Sequence, residues 1–369
     1  MLKRRENNIE LFRKELDGII TASKNKSELQ VEFFDSGSTI LNLVLSGKAF
    51  DGGWARGRVA NIVGDGGSSK TILALEVAIN ALKNMVGRES NFFPTVKKVI
   101  VRYNNAESVM DFDIESIWSI SRSKINWISS RTIQEFGRDF GQTADNMLDG
   151  ETVLYILDSL DSLPSEEEVD RFEESQKKGK SIDGSFNLEK QKYLGQFFRS
   201  EILPKMAGKD ITLFIISQVR MNIGVTFGEK MYRVGGKSLD FYTHQVVWLY
   251  EKEKLKRRVQ DQEIVNGIRV RAKLKRSKVS KPFREGEYEI LFDMGIDNVS
   301  SNLNYFFNLG GKKTGDNLVW DNKKFKTKSA LLSYIEDNNQ ENILIEAVEK
   351  KWTDIENEAS GLRGRKKRF

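Results

Sequence analysis

RVANIVGDGGSSKTILALEVAINAL, residues 58–82, runs from an apolar strand through a glycine-rich turn into an amphipathic helix. In that order the backbone N–H groups of the turn and of the helix N-terminus converge on an anion. Val59, Ile62 and Val63 are expected in the strand, residues 64–69 in the turn, and Leu73, Val77 and Leu82 on one face of a helix that Thr71 opens. Read as a phosphate loop, Gly64, Asp65, Gly66, Gly67, Ser68, Ser69, Lys70 and Thr71 hold a nucleotide. Lys70 then reaches the β- and γ-phosphates and the Thr71 hydroxyl meets Mg²⁺. The pattern G-x-x-x-x-G-K-[ST] holds at Gly64, Lys70 and Thr71 but fails at Ser69, where its second glycine belongs. Gly66 and Gly67 keep the turn flexible. A strand-to-helix turn that merely contains Gly, Ser and Lys is the other reading of these residues.

Composition bounds the rest. The 369 residues, 39% hydrophobic, suffice for one large core with small additions. A net charge of +6 permits an anionic partner without requiring one. Cysteine is absent, which excludes disulfides and thiolate-ligated metals, and the single His244 excludes multi-histidine metal sites and two-histidine mechanisms. The chain starts with charges from Lys3 to Glu6, without an apolar run of signal-peptide length, and no later stretch approaches the about 20 residues of a membrane span. A soluble, cytoplasmic protein with no membrane partner is expected.

Before the loop, residues 1–30 carry Ile9, Phe12, Leu16, Ile19 and Ile20 at helical spacing; this N-terminal helix packs either on its own core or on a neighbouring subunit. After it, Lys98 to Tyr103 reads as a buried strand ending in YNNAESVMD, so Glu107 lies beyond a strand's carboxyl end, where open α/β sheets bind ligands. Thr152 to Leu157 is a second apolar strand, ended by Asp158. Alone, that aspartate is a helix cap; downstream of a phosphate loop it is the carboxylate that holds Mg²⁺ through water. Residues 166–183, charged and broken by Gly179 and Gly184, are expected as a mobile loop, followed by a helix over 188–203. Ile211 to Ile216 is a third buried strand, ended by Ser217, Gln218 and Arg220. The stretch beyond it has glycines at 224, 228, 235 and 236, and a loop that long is functional or disordered. Strands follow over 245–251, 268–275 and 288–292. Residues 298–352 pattern weakly, with one clear helix over 328–336, and are expected as a small C-terminal α/β domain. The basic tail 353–369 is either solvated or a nucleic-acid contact. No repeat of fixed period occurs.

Taken together, GDGGSSKT, AES, LDS, SQVRMNIGVTFG and VGGKSLDFY, with DSGSTILNLVLSG before the loop and KVSKPFREGEYEILFDMGI near the end, resemble the RecA family of homologous-recombination ATPases over residues 36–292. The resemblance implies an α/β, RecA-like P-loop ATPase core at residues 31–297 with a mostly parallel central sheet. It implies ATP and Mg²⁺, self-association into a helical filament on single-stranded DNA, pairing and strand exchange with homologous double-stranded DNA, and loading or mediator proteins. Residue by residue, Glu107 polarises the attacking water, Asp111 lies near the adenine, and Gln218 senses the γ-phosphate and passes its presence to the following loop. Arg276 and Lys278 reach the neighbouring subunit's nucleotide, with arginine where the family has lysine. In the second DNA-binding loop, 222–238, the amides of Gly224, Gly235 and Gly236, with Arg220, Asn222, Arg233 and Lys237, meet phosphates. Val225 and Phe227 wedge between bases, or Phe227 folds back on the core. The first loop, 166–187, assigns no residue. Ser69, Arg276, Lys237 and the basic tail depart from the family and suggest a divergent, viral-type member. Two alternatives stay open: a filament-forming DNA-binding protein that scarcely hydrolyses nucleotide, motivated by Ser69, and a hexameric helicase or motor on the same core.

Overall fold

The computed structural model describes residues 31–107, 112–178, 193–221, 231–233, 236–309 and 318–361. The expected N-terminal helix over 1–30 lies outside them. The strands, in chain order, are β1 Phe33–Phe34, β2 Trp54–Ala55, β3 Val59–Gly64, β4 Lys98–Asn105, β5 Ile125–Ile128, β6 Glu151–Asp158 and β7 Ile211–Met221. They continue with β8 Met231–Arg233, β9 Gln245–Val259, β10 Gln262–Ser277, β11 Glu285–Leu291 and β12 Gly295–Asp297, followed by a separate pair, β13 Leu318–Trp320 and β14 Lys323–Phe325. One large sheet has the order β12-β11-β10-β9-β3-β7-β6-β4-β5, with β8 paired to β7. From β9 to β5 all neighbours are parallel, and β9 to β12 are antiparallel. The fold is therefore α/β with a mostly parallel central sheet, as the sequence implied.

β3 lies between β7 and β9 with all six residues buried, which is why it reads as a nearly unbroken apolar run. Its one polar side chain, Asn61, donates to Ile215 O at 2.8 Å and Ser217 Oγ at 3.0 Å, joining β3 to β7. Helices cover both faces. Thr39–Ser46 and Lys70–Asn84 pack with Ile62, Leu154 and Phe214; Ile133–Asp145 packs with Val153, Tyr155 and Leu213. The ends of these helices are sealed locally. Ser38 accepts from Leu41 N, Thr132 accepts from Glu135 N, and Gly47 takes the left-handed conformation, φ 80°, that ends Thr39–Ser46.

Three sequence expectations change. Residues 166–178, expected as a loop, form the helix Glu166–Lys178. Glu166, Glu167 and Glu168 occupy its first turn, where negative charge is favoured by the helix dipole, and no glycine intervenes before 179. β9 and β10 run far past the apolar segments, as a hairpin whose outer half is largely exposed. With neither face buried there, no alternating apolar signal exists for a sequence reading to detect. The C-terminal segment, finally, does not stand apart. Leu303, Leu331, Ile335, Leu344, Val348 and Trp352 belong to the same core as Ile40, Val44, Tyr288 and Ile290. Arg284 pairs with Glu356 at 2.6 Å, and Glu349 accepts from Ala49 N at 2.8 Å. Elements as short as Asn298–Phe306 and Lys328–Asp337 cannot enclose a core alone and bury their apolar faces on the sheet domain instead.

Candidate nucleotide site and its adjoining hairpin

The carboxyl ends of β3, β4, β6 and β7 converge on one edge of the sheet. There Gly64 leaves β3 so closely against the turn that a Cβ would lie 2.1 Å from Ser68 Oγ. Ser68 is buried and donates to Asp65 O at 2.9 Å, closing the turn. Ser69 sits at φ 56° and ψ 33°, the left-handed conformation for which the missing glycine would be used, and its side chain makes no capping bond. The departure at Ser69 therefore leaves the loop's backbone course intact. Lys70 is 8% exposed and donates to Asp65 O at 2.5 Å. Burial lowers its pKa, against the raising effect of Asp158, Asp65, Glu107 and Asp161.

Thr71 Oγ1 and the Tyr103 hydroxyl each donate to Asp158 Oδ2 at 2.7 Å. Burial raises the Asp158 pKa, with the two hydrogen bonds opposing, and raises that of Tyr103 well above its ordinary value. On the neighbouring β4 end, Glu107 Oε1 accepts from Ser159 Oγ at 2.8 Å, Gln218 Nε2 at 2.8 Å and Ser162 Oγ at 3.4 Å. Four segments distant in sequence thus meet through side chains: the phosphate loop, the acid-bearing end of β6, the residues just after β4 with Glu107, and β7 with Gln218.

Residues 144–297 match the model of the RecA N-terminal domain. A RecA protein of Bacteroides thetaiotaomicron is 26% identical over 346 residues, covering 90% of this chain and 93% of that protein. A RecA protein of Fusobacterium nucleatum is 29% identical over 287 residues, covering 76% of this chain and 66% of its own length. The chloroplastic DNA repair protein recA homolog 1 of Arabidopsis thaliana is 28% identical over 289 residues, and the match spans 56% of its length. The chain is similar to RecA proteins over most of its length.

Within this fold the remaining expected residues separate. Arg276 and Lys278 lie away from the chain's own phosphate loop. Arg276 is opposite Val246, itself opposite Asn61, three residues before Gly64 and so about 10 Å back along β3. Lys278 N donates to His244 O, and its ammonium to Phe241 O. β8 folds back on β7, pairing Val219 with Arg233 and Met221 with Met231, so residues 222–230 are the connection of a hairpin. Asn222, Gly224, Val225, Phe227, Gly235 and Asp111 lie outside the described residues; Arg220 is in β7, and Gly236 and Lys237 open the helix Gly236–Tyr242.

Arg233 requires a correction. Expected on a DNA-facing loop, it is buried, donating to Asn61 Oδ1 and pairing with Asp240. Its strand pairing turns it toward β3, where a guanidinium out of water needs both acceptors. Sequence reasoning also missed Tyr103, Asn61, Ser159, Asp161 and Ser162 as parts of the site. Only the tandem Asp-Ser in DSLDSL, residues 158–163, hinted that a turn there carries two polar pairs.

Proposed function

We propose that this chain is an ATP-dependent homologous-recombination protein that polymerises on single-stranded DNA and promotes pairing and strand exchange with homologous duplex. The observation that carries the reading is the Gln218 bond to Glu107. Gln218 contacts the group suited to activate water and stands in the strand that leads into the 222–230 connection, so nucleotide chemistry and loop position share one side chain.

ATP would be held by Lys70, now bonded to Asp65 O, and by the N–H groups that open Lys70–Asn84. Thr71 and Asp158 present oxygen donors side by side, as a hard cation requires. Among the described residues no group of three or more His, Asp or Glu side chains forms a metal cage, which suits Mg²⁺, an ion that usually takes one or two protein oxygens beside substrate phosphates. Mg²⁺ held by Thr71 and Asp158 would supply charge neutralisation at the phosphates. Glu107, oriented by Ser159, Ser162 and Gln218, accepts the proton of the attacking water. Ser69 in the glycine-like conformation is compatible with a loop that closes on phosphate despite the missing glycine. Arg276 and Lys278 serve a neighbouring subunit's site, consistent with their distance from their own loop. DNA contacts fall to Arg220, Asn222, Gly224, Val225, Phe227, Gly235, Gly236 and Lys237, without Arg233. Among the described residues no helix is long and apolar enough to cross a membrane.

The test is ATP hydrolysis with and without single-stranded DNA, alongside electron microscopy with a slowly hydrolysed analogue. DNA-stimulated turnover and open helical filaments are expected. Closed rings with unwinding activity would replace the proposal with a helicase.

A further inference from the structure

The short turn Leu160–Ser162 after β6 holds both partners of the Gln218–Glu107 contact. β6 and β7 pair only as far as Leu157 opposite Ile215, and Gln218 lies three residues further along β7. The chain after β6 has by then left the sheet, so no β6 carbonyl faces the Gln218 N–H. Asp161 fills that position: its Oδ2 accepts from Gln218 N at 2.7 Å. On the same turn Ser159 and Ser162 donate to Glu107 Oε1, the atom that also accepts from Gln218 Nε2. One turn therefore fixes the backbone of Gln218 through one residue and the carboxylate it meets through two others.

We propose that Asp161 is a positioning residue that latches the Gln218 backbone to the turn after β6, so that the Gln218 carboxamide responds to the nucleotide while the strand leading into the 222–230 connection keeps its register. The inference rests on the functional reading above. A carboxylate on a backbone N–H is among the stronger hydrogen bonds at a surface, and here it substitutes for the missing strand neighbour. With the amide held, loss of the Glu107 contact redirects the side chain and the residues just beyond it. Without the latch, the end of β7 frays and a change at Glu107 is absorbed locally.

The variants are Asp161→Ala and Asp161→Asn in the full chain, since asparagine keeps an acceptor oxygen at nearly the same place. Hydrogen exchange followed by mass spectrometry on peptides covering 214–221, without nucleotide, is expected to speed by about tenfold or more in Asp161→Ala and to stay near the parent in Asp161→Asn. The second readout is the ratio of single-stranded DNA affinities with a slowly hydrolysed ATP analogue and with ADP. Coupling between sites commonly amounts to about 5- to 150-fold. Asp161→Ala should bring the ratio to within about threefold of unity, and Asp161→Asn should restore it. General destabilisation would weaken both affinities alike and leave their ratio unchanged. Parent-like exchange in Asp161→Ala, or a parent-like ratio in that variant, overturns the latch. If the parent itself binds DNA equally with both nucleotides, the functional reading fails, and the exchange measurement still decides the latch.

Discussion

Replacing Ser69 by glycine should stabilise the protein, and replacing it by alanine should not. Ser69 holds φ 56° and ψ 33°, where a residue with a Cβ is disfavoured by about 1–2 kcal/mol. Its hydroxyl makes no capping bond, and its carbonyl, which accepts from Leu73 N at 3.0 Å, survives either substitution. Glycine relieves the strain but frees the unfolded chain, which takes back about 0.4–1 kcal/mol. The net gain is about 0.5–1 kcal/mol, or about 1–3 °C in Tm for a chain of this size. Alanine keeps the Cβ at the same φ, loses no hydrogen bond, and should match the parent within a few tenths of a kcal/mol, ~0.3 kcal/mol. Because the loop already follows the glycine-like course, ATP affinity should change by less than about twofold in both variants. Urea unfolding of the ligand-free protein with a nucleotide titration makes the comparison. A glycine variant less stable than the parent, or an alanine variant as stable as the glycine one, would refute the argument that Ser69 carries backbone strain.

Glu107→Gln should bind ATP and DNA yet lose about 10²- to 10⁴-fold in single-turnover hydrolysis, because the amide keeps the shape without the basic oxygen; parent-like hydrolysis would assign the water to another group. His244 has its pKa lowered to about 4, first by burial and then by Arg58 and Lys278. The unfolded chain therefore takes up a proton below pH 6.5 that the folded one refuses until about pH 4, and stability falls through that window. After discounting for solvent screening the loss is about 1–3 kcal/mol, and His244→Gln should flatten that part of the unfolding profile. Arg233→Ala should cost about 1–3 kcal/mol of stability by stranding Asn61 and Asp240, while leaving the salt slope of DNA binding unchanged; a slope reduced by about one phosphate would return Arg233 to the DNA. Mixing subunits that lack both Arg276 and Lys278 with subunits carrying Lys70→Ala should restore hydrolysis at some interfaces. Mixed filaments without any restoration would place those cations within their own chain.

The sequence by itself determined the local elements whose cause is local. The apolar run of β3 followed by glycines and Lys70 could be read as strand, turn and helix because period and turn chemistry act over neighbouring residues. The strand-end positions of Glu107 and Asp158 followed from the apolar segments before them, whereas β7 runs on past Gln218 to Met221, where its pairing with β8 extends it. What only the tertiary structure decided depends on which strand lies beside which. The conformation of Ser69 is set by how β3 meets its helix, and the inward course of Arg233 by the pairing of β8 with β7 against Asn61. Asp161 shows the same limit most sharply. Its sequence neighbours mark a polar turn, but its partner is a backbone N–H 57 residues away, exposed because β6 ends before β7 does. The C-terminal helices likewise joined the sheet domain because their apolar faces are too small to enclose a core and fit the one formed by Ile40, Val44 and Ile290.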